Sequence, residues 1–143
     1  MNANDAQLIE VLTAQHGSTI QDNAPNAPAP GQAAAATFDV VIEGNAGNVI
    51  GNSAAPYTLT VTAMDLTAMT AAANLNPVIP AQSFSVPLWN KNGPDDYDTQ
   101  QSFTVNVPNP NPYAGHVLQY VASLVSVNDQ VVSILQSEPF TLV

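Results

Sequence analysis

The chain is expected to fold as an all-β antiparallel sandwich, and three observations lead there. From Thr37 onward, short β-branched runs alternate apolar and polar residues, the period of a strand with one buried face. Gly, Asn and Pro gather between these runs, where turns need their backbone geometry. A hydrophobic content of 45% over 143 residues is enough for one domain with its own core.

Taken in order, residues 1–20 are expected to hold a short amphipathic helix. In "NDAQLIEVLTAQH", Asn4 or Asp5 can cap it and Gly17 can end it. Leu8, Ile9, Val11 and Leu12 would form its apolar face, and a helix so short needs something to pack on. Residues 21–36, "QDNAPNAPAPGQAAAA", are a Pro/Ala-rich linker or arm, since Pro25, Pro28 and Pro30 forbid a helix and favour extended geometry. Residues 37–143 are the sandwich domain.

Within that domain "TFDVVIEG" puts Phe38, Val40 and Ile42 on one face, and "YTLTVTAMDL" puts Tyr57, Leu59, Val61 and Ala63 inward with Thr58, Thr60 and Thr62 outward. The Gly- and Asn-rich stretch between them reads as a loop. "TAMTAAANLNP" is expected to make a turn of helix between sheets. "QSFSVPLW" and "QQSFTVNVP" are two further strands, with Phe84, Val86, Leu88, Phe103, Val105 and Val107 as core candidates. "HVLQYVASLVSV" and "QVVSILQSEPFTLV" close the chain as a hairpin turning at "NDQ". Pro87 and Pro139 interrupt ladders, so their strands belong at edges or contain bulges.

This last pair, a Tyr-bearing strand "VLQYVASLVS" followed by a terminal strand "ILQSEPFTLV" broken near Pro139, resembles the end of an immunoglobulin-like or fibronectin-type-III-like domain. The resemblance spans roughly residues 37–143 and is one of fold. The chain has no cysteine pair of the antibody kind, and its one Trp falls later than their core Trp.

Composition excludes several functions. Lys91 is the only Lys or Arg against 11 Asp and Glu, for a formal charge of −10. Nucleic acid is thereby excluded as a partner, because affinity for phosphates comes from Lys and Arg; an anionic membrane surface is disfavoured for the same reason. No stretch is long and apolar enough to span a membrane, and the start lacks the basic region and apolar run of a secretory signal. The compartment stays open: cytoplasmic, or part of an extracellular or assembled structure. Without cysteine there is no disulfide, thiolate metal site or cysteine nucleophile. Charged residues make up only 8% of the chain, against about a quarter in ordinary proteins. Its surface is therefore largely neutral, which suits contact with copies of itself.

Chemistry concentrates in "WNKNGPDDYD", residues 89–98. Asp95, Asp96 and Asp98 offer oxygens of the kind Ca²⁺ takes, though not at EF-hand spacing. Trp89 and Tyr97 are candidates for stacking on a sugar ring, against a structural role for Trp89 at the edge of the core. Asn, Gly, Pro and Asp are also the ordinary residues of a turn. His16 and His116 have no second His nearby to make a zinc pair. "GNSAA" at 51–55 only half matches a nucleophile elbow, and carboxylate pairs such as Glu43 or Asp65 with Asp95 are expected by chance among so many acids. The reading is non-enzymatic, with no cofactor required.

The final hairpin points to assembly. Val117, Val121 and Val125 face away from the Leu118–Tyr120–Leu124 side, leaving both faces apolar where one solvated face should be polar. Edge positions also lack guarding charges. The outward valines are expected to be covered by the N-terminal arm or by another subunit. The functional expectation is a structural or interaction protein that self-assembles, or docks to a larger protein assembly, through its N-terminal helix and apolar sheet. The alternative is a carbohydrate- or calcium-binding module using residues 89–98.

Overall fold

The computed structural model describes residues 2–127 and 131–143; the turn expected at 128–130 lies outside the described residues. In chain order the elements are β1 (Ala6–Gln15), β2 (Thr37–Gly47), β3 (Pro56–Asp65), β4 (Thr70–Ala71), a 3-10 turn (Ala73–Leu75), β5 (Gln82–Ser83), β6 (Asn90–Asn92), β7 (Asp96–Asn106), β8 (Val117–Ser126), β9 (Val132–Gln136) and β10 (Phe140–Thr141). All pairs among these strands are antiparallel, and an isolated parallel bridge joins Ala114 to Leu142. The first sheet runs β1-β2-β7-β6. In the second, β3 and β8 lie at the centre, β9 and β10 share the far side of β8, and β4 and β5 flank the two ends of β3.

The inward alternation of the long strands builds one core between the sheets. Phe38, Val40 and Ile42 from β2 meet Leu59, Val61 and Ala63 from β3 and Leu118, Tyr120, Ala122 and Leu124 from β8. Burying each large apolar side chain contributes roughly 1.5–3 kcal/mol. At one end Tyr120 stacks on Phe140, their ring centres 5.2 Å apart, and its buried hydroxyl donates to the carbonyl of Leu75 at 2.7 Å. At the other end Tyr57, Phe84 and Trp89 pack together.

The N-terminal helix does not exist. Residues 6–15 form β1, paired along β2 from Ala6↔Ala46 to Gln15↔Phe38. The helical spacing of Leu8 and Val11 has another cause. Leu8 pairs with Gly44 and Glu10 with Glu43, so Ile9 is the extra residue of a β-bulge. The bulge brings Leu8 and Val11, three apart, onto the same inward face, which imitates a helix stripe. The β-branched Ile9, Val11 and Thr13 fit the strand better, and β2 supplies the backbone partners that a lone short helix would lack.

The arm packs on its own domain. Asp22 N–H donates to Thr13 O at 2.8 Å, and Thr13 Oγ1 donates to Asp22 O at 2.7 Å. One residue on, Asn23 O accepts from Thr141 N–H at 2.9 Å. Asn26 is buried and bonds Val143 through both its amide atoms. The arm thus stitches the β1 edge of the first sheet to β10 of the second.

The expected strand "QSFSVPLW" is reduced to the two residues of β5; the chain then turns, with Trp89 N–H bonded to Ser85 O, and still buries Phe84 and Trp89. The expected turn of helix is the 3-10 turn at Ala73–Leu75. The break before Pro139 separates β9 from β10, and Ser137 fills the gap in the ladder: its N–H donates to Tyr120 O and its hydroxyl accepts from Tyr120 N–H.

Candidate functional site

Trp89 is fully enclosed, 0% exposed, so its face is not offered to a sugar. Its indole N–H donates to Tyr57 Oη at 3.0 Å rather than to a carbonyl. Tyr57 donates onward to Gln82 Oε1 at 2.7 Å, and Gln101 donates to Gln82 Oε1 and to Thr99 Oγ1. Thr99 in turn donates to Leu88 O at 2.7 Å. This chain of hydrogen bonds closes the β5–β6 side of the sandwich. Burial pushes the Tyr57 hydroxyl above its ordinary value, against the opposing bonds from Trp89 and Gln101.

The rest of residues 89–98 is the β6–β7 hairpin. Gly93 sits at φ +78°, where a side chain is strained. Tyr97 is half-buried and its ring lies against Gly51, where a Cβ would come within 2.7 Å of it. Asp95 is exposed in the turn, while Asp96 and Asp98 are half-buried on β7. Asp98 accepts a bond from Asn92 and faces Asn45 across β2. Among the described residues, no three His, Asp or Glu side chains come together to hold a metal ion.

The histidines are used in a way the sequence did not suggest. His16 Nδ1 lies 2.9 Å from Asp39 Oδ1, and the same carboxylate accepts from Gly17 N–H and Thr104 Oγ1. His116 Nδ1 lies 2.7 Å from Asp65 Oδ2, while Asp65 Oδ1 accepts from Ala68 N–H. Burial works to raise the Asp39 carboxyl, but the bonds from His16, Gly17 and Thr104 outweigh it and hold it below its ordinary value. The bond from His116, then that from Ala68, holds the Asp65 carboxyl low as well. Each pair pins a loop to a strand end: the turn after β1 in the first case, the loop after β3 in the second. The available signal was a lone Asp inside an apolar alternation, at positions 39 and 65.

The outward faces of the two sheets differ. On the first, Leu12, Ala14 and Val41 form a small buried cluster of their own, and Glu10 lies directly across from Glu43, with Asp98 further along. On the second, neighbours across β3, β8 and β9 form rows: Thr58, Val125, Val132; then Thr60, Ser123, Ile134; then Thr62, Val121, Gln136. None of these carries a charge. Val132 and Ile134 are 58% and 67% exposed, Val117 is exposed at the other end of β8 beside Thr141, and Val121 and Val125 are half-buried. Of the residues expected to make contacts, Val117, Val121 and Val125 therefore share an open face. Leu8, Val11 and Leu12 are buried within β1, and only Ile9, at its bulge, is exposed.

A hollow of about 420 Å³ lies between the arm and residues 107–111, lined by Ala34, Ala35, Pro108 and Pro110, with no charged or histidine side chain. No protein-family model, curated protein or solved structure matches the chain significantly.

Proposed function

We propose that this chain is a non-enzymatic structural or interaction protein, an immunoglobulin-like sandwich that assembles with itself through the outward face of its second sheet. The observation that carries this reading is the neutral face of β3, β8 and β9 on a chain of formal charge −10. Two copies approaching through the first sheet would oppose Glu10, Glu43 and Asp98 to their own images. Through the second sheet they meet valine, isoleucine, threonine and serine. Contact there removes apolar surface from water at roughly 25 cal/mol per Å² without desolvating a charge.

The immunoglobulin-like part is supported by strand order. The layers β1-β2-β7-β6 and β9/β10-β8-β3-β4 parallel the A-B-E-D and G-F-C arrangement of that fold, with β4 where variable-type domains add a strand. The histidine–aspartate pairs act as loop anchors, since each carboxylate also accepts a backbone N–H, from Gly17 at Asp39 and from Ala68 at Asp65. The alternative module would rest on Asp95, Asp96, Asp98 and the half-buried Tyr97, since Trp89 is enclosed.

Solution mass is the test. Light scattering is expected to give a multiple of 14.9 kDa, and Ile134→Lys is expected to lower it while leaving the circular dichroism unchanged. A wild-type monomer at millimolar concentration would refute the reading. Calcium titration by calorimetry addresses the alternative, with heat released only if the hairpin carboxylates bind the ion.

A further inference from the structure

The edge of β7 is separate from the face just described. β7 pairs with β2 along all 11 of its residues without a bulge. On its other side β6 reaches only Asp96–Asp98. From Thr99 to Asn106, no strand or turn is bonded to the backbone on that side among the described residues.

The edges at β1, β10 and β3 are blunted, and β9 lies against β1. β1 carries its bulge at Ile9, Asp22 takes Thr13 O, and Ser133 Oγ takes Leu8 N–H. β10 is tied to the arm at Asn23. β3 is covered at its ends by β5 and β4, and Ala63 N–H is taken by Asn76 Oδ1. Sheet proteins usually protect an open edge with Lys, Pro or a bulge. The segment "TQQSFTVN" at 99–106 has none of these.

We propose that the β7 edge pairs with the β7 edge of a second copy, antiparallel about a two-fold axis, joining two four-stranded sheets into one of eight. A second copy suits this edge because residues 99–106 are uncharged, while β6 keeps Asp96 and Asp98 out of the pairing. The register follows from the same geometry. Setting Asn106 against Asp98 would collide with β6, whose Asn90 already pairs there. The next register that keeps side chains on matching faces sets Gln100 against Asn106, Ser102 against Thr104, and Phe103 against its own image. The outward pairs are then amide to amide and hydroxyl to hydroxyl, and each group both donates and accepts.

Two variants separate this contact from the face contact. Ser102→Lys is expected to lower the solution mass by at least half, whereas Val121→Lys, on the open face, leaves the edge-paired dimer. An unchanged mass in Ser102→Lys overturns the edge contact, as does a wild-type monomer. Loss of assembly in Val121→Lys alone overturns the edge contact and leaves the face contact standing. The register has its own test, which also serves if Ser102→Lys does not fold. With no native cysteine present, an oxidised mixture of Ser102→Cys and Thr104→Cys chains is expected to cross-link several-fold more than either chain alone. A mixture that does no better than its components overturns the pairing.

Discussion

The two outward faces of this sandwich start from similar sequence and end differently. Both β2 and β8 put valine on the side away from the core. On the first sheet Val41 is 0% exposed, beside Leu12 and Ala14. The turn at His16 and Gly17 folds back onto this face, bonded to Asp39, which pairs with Ala14 and neighbours Val41 by two residues. On the second sheet Ile134 and Val132 stand open. Two-sided apolar strands therefore do not by themselves mark an interface. One set is hidden by the protein's own chain, and only the other stays open.

The comparison is broken most severely by deleting residues 1–36. If the arm were an appendage, the remaining sandwich would fold. The deletion instead removes β1 and the stitch to β10, so the truncated chain is expected to show no cooperative urea transition.

A paired substitution comes next. Val41→Lys places a charge in a closed site and is expected to cost on the order of 4 kcal/mol in chemical denaturation. The same change at Val121 is expected to stay within about 0.5 kcal/mol and to alter assembly instead. Equal costs at the two positions would mean that the faces do not differ.

Acid should act on the loop anchors with smaller effect. Asp39 and Asp65 both have carboxyls held below their ordinary value. A depressed carboxyl stabilises the fold above the unfolded pKa, near 4, and loses that contribution as pH falls through the folded value. The gap in urea midpoint between wild type and Asp65→Asn is therefore expected to be full at pH 6 and to shrink below about pH 4. A gap that widens in acid would contradict the assigned bonds.

Salt should have the smallest effect. Raising it shortens the Debye length from about 10 Å at 0.1 M to about 3 Å at 1 M, which screens repulsion between copies of charge −10. Association through a neutral face should strengthen slightly, as sedimentation can show. Weakening with salt would point to ion pairs and away from this face.

Much of the fold was legible in residues that alternate. Phe38, Val40 and Ile42, Tyr57 to Ala63, and Leu118 to Leu124 all face the core as their spacing requires, because the strand period is a local property of the backbone. The same reasoning failed at β1, where a one-residue bulge gave a strand the spacing of a helix. Trp89 gathers with acids in the sequence, but of its two readings the fold uses the structural one, with the indole enclosed in the core. Val117, Val121 and Val125 were found because their outward position follows from parity alone.

The amino-acid sequence thus determined the sandwich class, the inward and outward sides of its long strands, the break before Pro139 and a charge balance with one basic side chain, Lys91, against 11 acids. Each depends on neighbours in the chain or on composition. Tertiary structure decided which outward face is covered, which edges are blunted and what Asp39 and Asp65 hold. Those outcomes rest on contacts between distant residues, Asn26 with Val143 at a separation of 117 and Leu8 with Ser133 at 125. Such contacts leave no periodic trace, since each depends on where two remote segments come to lie once the core has formed.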